Sequence, residues 1–321
     1  INKKYILYFH NDPISMKGSI TKSERLNLLN KVDKIIFVSK WVQKRFFNGL
    51  DQKLINKTEV VYPSINKIDK FPLKKKWITF VGKLNKAKGY DVFVKSITKI
   101  LDKYIDWQAI VIGDEKREKI VLNHKKAKIL GFKKHQEVIN IFKKTSITVA
   151  CSRWEEPFGR TSLEASANGC AVIITNKGGL PETVTDAKIL QNLNEKNLTK
   201  LISSLIEDSV TRKNLQRRSI KNFYLTHKFV SKKIDDYRSE KLFLNKTFFI
   251  KTSLKSLRIL HVTNFNERLD GRLFFNTGRR INNGFIRLGH SVLGFSDRDI
   301  QKYYKSIGDF KGKKTLNDKL K

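Results

Sequence analysis

From Trp77 onward, short β-branched runs alternate with stretches of helical composition, and this alternation constrains the fold more than any single residue does. Ile78 to Val81 leads to a helix from Tyr90 to Lys103 and then to Gln108 to Ile112. The series continues through Lys128 to Leu130, a helix from Gln136 to Lys144, Ile147 to Ala150, a helix from Ser162 to Asn168, and Ala171 to Thr175. Strands separated by helices run parallel, and a parallel sheet needs helices over both faces. The pattern predicts an α/β fold built on a Rossmann-like parallel sheet, closed by helical stretches from Glu195 to Glu207 and from Val210 to Asn222. Ligands of such sheets bind beyond the carboxyl ends of the strands.

The flanks read differently. Tyr5 to Phe9 has strand character with nothing before it to pair with, so the start reads as truncated. Ser23 to Asn30 is a short helix, Lys34 to Val38 a strand, and Lys40 to Phe47 a helix capped by Ser39; Glu59 to Tyr62 and Pro63 follow. Beyond the central sheet, Leu257 to Thr263, a helix from Thr277 to Leu288, the turn Gly289-His290 and Ser291 to Phe295 form one β-α-β unit. Three elements cannot cover both faces of a parallel sheet, so the end reads as truncated too. The expected division is residues 1–50 as the end of one domain, 51–75 as a linker and 76–245 as the central domain with its closing helices. A second linker, 246–256, precedes 257–321 as the start of a further, partial Rossmann-like domain.

Composition narrows the function classes. No apolar run reaches the roughly 18 residues that a spanning helix needs. There is no secretory signal, and Cys151 and Cys170 are too few for a disulfide framework. A reducing cytoplasm is the expected setting. The balance of 66 Lys plus Arg against 30 Asp plus Glu gives +36, which suits an anionic membrane surface or phosphorylated ligands. Lysines are scattered along the whole chain among many Asn and Ile residues, as AT-rich coding also produces. No RNP-type motif, zinc finger or arginine-rich helix supports a nucleic-acid partner. His124, His135, His227, His261 and His290 show no metal-ligand spacing with one another or with cysteine, and no metal site is assigned.

The chemistry concentrates between Arg153 and Glu182. Glu156-Pro157-Phe158-Gly159-Arg160-Thr161-Ser162-Leu163-Glu164 follows a buried strand and runs into a helix. Pro157 and Gly159 force a turn, and Thr161 or Ser162 is expected to cap the helix, leaving first-turn N–H groups where a phosphate is welcome. Glu164 can accept hydrogen bonds from two neighbouring ribose hydroxyls, and Glu156 can reach hydroxyls of a sugar beyond a diphosphate. Two glutamates eight apart are commonplace on their own. Glu-Pro-Phe-Gly before Glu164, Asn168-Gly169-Cys170-Ala171-Val172 after it and Gly178-Gly179-Leu180-Pro181-Glu182 beyond are not. Together they resemble the Glu-x7-Glu signature of family 4 retaining glycosyltransferases, which have the GT-B fold.

The resemblance extends upstream. Val81-Gly82-Lys83-Leu84 to Lys88-Gly89 looks like that family's Gly-Arg-Leu segment ending in Lys-Gly, with Lys where Arg is commoner at position 83. It implies that Lys83 and Lys88, with the helix start at Thr161 and Ser162, hold the donor diphosphate. Glu156, Phe158 and Gly159 are then expected at the donor sugar, Glu164 at the ribose and Phe132 at the base, although Phe132 also fits a core aromatic. Tyr8-Phe9-His10-Asn11-Asp12 with Val32 to Ser39 resembles the last part of the family's acceptor-side domain, and His10 joins Glu156 as a catalytic candidate. Leu257 to Thr263 and Gly289-His290-Ser291-Val292 resemble the opening of a second GT-B domain, in tandem or by permutation.

The resemblance implies a metal-independent hexosyltransferase with no cofactor, a nucleotide diphosphate sugar as co-substrate, and a cell-surface glycan or lipid-linked acceptor. The basic surface suits a peripheral place on the inner face of a membrane. If most of an acceptor domain is missing, this piece alone is expected to turn over poorly. Two alternatives stay open: a GT-B sugar-nucleotide epimerase or phosphorylase, and a nucleic-acid-binding protein.

Overall fold

The computed structural model describes residues 5–242, 256–265 and 277–320. The chain divides into two compact units, Ile1–Arg238 and Ser239–Lys321. The first unit opens with a three-stranded parallel sheet of β1 (Ile6–Phe9), β2 (Lys34–Phe37) and β3 (Thr58–Val60), in the order β1-β2-β3. Between the strands lie α1 (Lys22–Lys31) and α2 (Lys40–Phe46). Thr21 and Glu24 form a reciprocal capping box at α1. The Ser39 hydroxyl accepts the Val42 N–H at 3.0 Å, so the expected Ser39 cap is present.

The second sheet of this unit contains β4 (Lys75–Val81), β5 (Gln108–Ile112), β6 (Ala127–Ile129), β7 (Thr145–Ala150), β8 (Ala171–Thr175) and β9 (Lys188–Leu190). All neighbours pair in parallel, in the order β6-β5-β4-β7-β8-β9. The connecting helices are α3 (Tyr90–Lys103), α4 (His135–Lys144) and α5 (Arg160–Ala167), followed by α6 (Glu195–Glu207), α7 (Ser209–Lys221) and α8 (His227–Leu242). Period-two alternation sends the buried side chains of β5 to opposite faces. Ala109 and Val111 pack with Phe93, Ile97 and Ile100 of α3, whereas Ile110 and Ile112 pack with Phe142 of α4 and Ala165 of α5. Chain order reverses between β4 and β7, so the crevice that such sheets use for ligands opens beyond Val81 and Ala150.

The structure departs from the sequence expectations at several points. The stretch 51–75, expected as a linker, carries β3, which completes the first sheet through backbone pairing with β2. Neither β9 nor α8 was anticipated. Helix α8 packs Val230, Ile234 and Tyr237 against Ile36 and Val61 of the first sheet, and the Tyr237 hydroxyl donates to Glu59 at 3.0 Å. Helix α5 starts at Arg160, ahead of Ser162. The expected second linker lies, but for Ser256, outside the described residues.

In the second unit, β10 (Arg258–Thr263) and β11 (Ser291–Ser296) pair in parallel with Arg258 opposite Ser291. They are joined through α9 (Thr277–Arg287) and followed by α10 (Asp297–Tyr303) and α11 (Lys313–Leu320). The β-α-β order is the expected one; α10 and α11 were not foreseen. No helix among the described residues is long and apolar enough to cross a membrane.

Candidate functional site

Two loops meet at the crevice between β4 and β7. The first carries a 3-10 turn, Lys86–Lys88. Asn85 caps it, its side chain accepting the Lys88 N–H at 3.0 Å and donating to Glu115 at 3.0 Å. Glu118 accepts the Lys86 N–H at 3.0 Å. Gly89 ends the turn at φ +72°, where a Cβ would lie 2.0 Å from the Cys151 carbonyl oxygen; no other residue fits against β7 so closely.

The loop after β7 grips this turn in return. The Arg153 and Trp154 N–H groups both donate to the Ala87 carbonyl, at 2.9 and 3.0 Å. The Arg153 guanidinium holds Asp91 with two bonds, 2.5 and 2.8 Å, and the Lys86 carbonyl at 2.6 Å. Burial alone raises the affinity of Asp91 for its proton, but the Arg153 bonds and charge outweigh it and leave the carboxyl below its usual range. A fork of this kind fixes direction as well as distance. The two loops therefore behave as one support.

On that support lies a cleft of about 150 Å³ lined by Gly82, Lys88, Glu156, Arg160 and Thr161 among others. Lys88 and Glu156 form an ion pair across it, with side chains 31% and 15% exposed. The N-terminus of α5 faces the same cleft. Gly159 is its cap residue at φ +101°, with no side chain closing the first turn, so the leading N–H groups are left for a ligand or solvent. The cleft thus joins a lysine ammonium, the positive end of a helix and a carboxylate. This set suits a diphosphate next to a hydroxyl-rich group.

Glu164, one turn further along α5, is 7% exposed. Its Oε1 is met by Nε2 of His135 and by a guanidinium nitrogen of Arg160, each at 3.2 Å. No hydrogen bond reaches its Oε2 among the described residues.

The sequence-predicted residues separate into those brought together and those redirected. Lys88, Glu156, Gly159 and Thr161 line one cleft, and Glu164 lies on the same helix. Lys83 is exposed on the loop after β4 and makes no ion pair among the described residues. The expected side-chain cap on α5 is absent. Ser162 is fully buried and spends its hydroxyl on Gly159 and Thr183, at 2.9 and 2.7 Å, so only its backbone is left for a phosphate. Phe158 turns its ring away from the cleft. It is 4% exposed and stacks on Tyr62 with ring centroids 5.7 Å apart, because the turn that aims Gly159 at the cleft sends Phe158 to the opposite side. Phe132 is 77% exposed, which removes the core reading. His10 follows β1 with its ring 4.2 Å from that of Tyr8. Partial burial lowers its pKa, and no hydrogen bond joins it to the cleft.

Sequence reasoning missed the Arg153–Asp91 fork, Glu115, Glu118 and His135, whose roles come from tertiary contacts that no local spacing announces. It also missed how Glu182 acts. Both its carboxylate oxygens cap α2, accepting the Lys40 and Trp41 N–H groups at 2.7 and 2.8 Å. Burial, the Glu182 charge and a hydrogen bond to that carboxylate together hold the Tyr62 hydroxyl well above its usual pKa.

Doubly covered parallel sheet and switch-point cleft together define an α/β protein of the GT-B type. Residues 62–222, about half of the chain, match the family described as Glycosyl transferases group 1, and the chain belongs to that family. An uncharacterised glycosyltransferase of Methanocaldococcus jannaschii is 33% identical over 193 residues, covering 57% of this chain and 52% of that protein. The lipopolysaccharide core biosynthesis mannosyltransferase LpsB of Rhizobium meliloti is 33% identical over 121 residues, 35% of this chain and 34% of its own. The crystal structure of Anabaena HepE in complex with UDP superposes with a TM-score of 0.61 at 18% identity, covering 74% of this chain and 72% of that one. The chain spans about half the length of the first curated relatives it matches.

Proposed function

We propose that the cleft between Lys88 and Glu156 binds a nucleotide diphosphate sugar, and that the chain carries the donor half of a retaining transferase acting on a cell-surface glycan or glycolipid. The observation that carries this reading is the Lys88–Glu156 pair facing the uncapped N-terminus of α5. A departing nucleoside diphosphate develops negative charge, and fixed positive groups are worth most where charge develops. Lys88 and the α5 N–H groups supply them, with exposed Lys83 free to swing in. Glu156, released from Lys88 by the diphosphate, accepts hydroxyls of the sugar, and Glu164 accepts those of the ribose. None of these roles calls for a divalent ion. His10 remains a candidate contact to the sugar.

Two comparisons support the reading. HepE is described in complex with UDP and with UDP-glucose, and LpsB is named for lipopolysaccharide core synthesis. The +36 charge adds affinity for an anionic membrane surface where such acceptors reside. The second unit, with parallel β10 and β11, is read as the opening of a further Rossmann-like sheet.

Thermal stabilisation across UDP-, GDP- and ADP-sugars tests donor binding, since saturation at about 100 times Kd adds about 2.7 kcal/mol. One nucleotide series should stabilise the chain in the presence of EDTA, plain phosphate should not, and Lys88→Ala should weaken binding by about tenfold or more. Equal binding by Lys88→Ala would remove the diphosphate assignment. For the reaction, nucleoside diphosphate must appear together with a new glycosidic bond of unchanged anomeric configuration. An epimerised nucleotide sugar or a sugar phosphate as product would establish the epimerase or phosphorylase instead.

A further inference from the structure

Glu164 is held by partners that come from two different elements. Arg160 stands one turn earlier on the same helix, and its long side chain is mostly exposed, so it holds Glu164 loosely. His135 is the first residue of α4, and its Nε2 lies 3.2 Å from the same Oε1. A carboxylate can only accept, so the ring nitrogen facing it carries the hydrogen. Oε2 receives no hydrogen bond among the described residues, although the side chain is almost fully buried. Oε2 is not enclosed despite the buried side chain, and an accessible oxygen on a fixed carboxylate is suited to a ligand hydroxyl. The His135 side chain is itself 57% exposed, so core packing does not explain its place.

We propose that His135 is a positioning residue for nucleoside recognition: from α4 it locks the Glu164 carboxylate so that Oε1 is engaged by the protein and Oε2 is presented to a ribose hydroxyl. The proposal rests on Glu164 as the ribose acceptor. With His135 absent, only the exposed Arg160 guanidinium holds Oε1, and the carboxylate loses its fixed plane. The ribose hydroxyl then finds an acceptor no better than water.

The test compares the full chain with His135→Ala and His135→Gln by isothermal titration calorimetry. The probes are UDP, GDP and ADP, each beside its 2′-deoxy and 3′-deoxy counterparts. The wild type should bind the ribonucleotide of the accepted base about tenfold more tightly than a deoxy form, as a hydrogen bond to a charged group allows. His135→Ala should reduce that ratio to about twofold while leaving deoxynucleotide binding and the melting temperature unchanged. His135→Gln, which keeps a side-chain N–H, should restore much of it. A wild type that binds both forms equally would overturn the ribose reading of Glu164 and this proposal with it. A wild type that discriminates, beside a His135→Ala that discriminates as well, would overturn the proposal alone.

Discussion

In the six-stranded sheet, β8 is buried along its whole length, whereas β10 and β11 of the second unit leave Leu260 and Leu293 51% and 67% exposed. Both are parallel β-α-β arrangements with regular register. Strand pairing therefore does not distinguish them. Cover does: β8 lies beneath α5 and α7, with side chains such as Val172 and Ile174 enclosed among those of the neighbouring helices. Parallel pairing is set by local connectivity, but hydrophobic stabilisation follows area removed from water. The two units should accordingly respond differently to the same chemical change.

The largest contrast is expected from a charge. Ile174→Asp places an unpaired carboxylate in a fully buried site and should cost the first unit about 4 kcal/mol or more, whereas Leu293→Asp should stay within about 0.5 kcal/mol. Urea unfolding of each variant measures both, and equal losses would break the comparison. A smaller effect is expected where backbone rather than side chain is enclosed. Gly89→Ala forces a Cβ toward the Cys151 carbonyl at positive φ, with a cost of about 2 kcal/mol and weaker donor binding, both visible in a nucleotide-dependent melt. The mildest probe changes no residue. Cys151 and Cys170, the chain's two cysteines, are buried in the first unit, and burial pushes the Cys151 thiol up from 9.0 to about 12. Its folded pKa exceeds its unfolded value, so its contribution to stability is complete below pH 9 and is lost as pH rises toward 12. At neutral pH neither thiol should react with an alkylating reagent until the first unit opens; prompt labelling of the native chain would contradict this.

Much of this architecture was legible because it depends on period and spacing. Helices α3 and α6 and strands β5 and β8 follow the read boundaries, since each pairs a strong apolar repeat with a clear stop. Strand β9 was not read because three residues, Lys188–Leu190, carry too little pattern, and α8 because its apolar residues serve a distant sheet. The site divides the same way. Lys88, Glu156 and Glu164 were named from motif spacing, and two of them share a cleft. The side-chain directions of Phe158 and Ser162 were not legible because they depend on the left-handed turn at Gly159, which sequence spacing does not resolve. His135 needed the start of α4 to meet the middle of α5, which only the folded sheet brings about.

Glu182 gives the Gly178 to Glu182 segment a mechanical meaning. At one end this segment is anchored behind the cleft, with Gly178 N–H donating to the Glu155 carboxylate at 2.7 Å and Gly179 N–H to the Glu156 carbonyl at 2.6 Å. At the other, Glu182 clamps the first turn of α2, while Ser39 donates to the Pro157 carbonyl at 2.6 Å. Helix α2 and the backbone of Glu156 are thus the two ends of one short linkage. A tilt of the three-stranded sheet would therefore pull on the backbone of Glu156, the residue paired with Lys88 across the cleft.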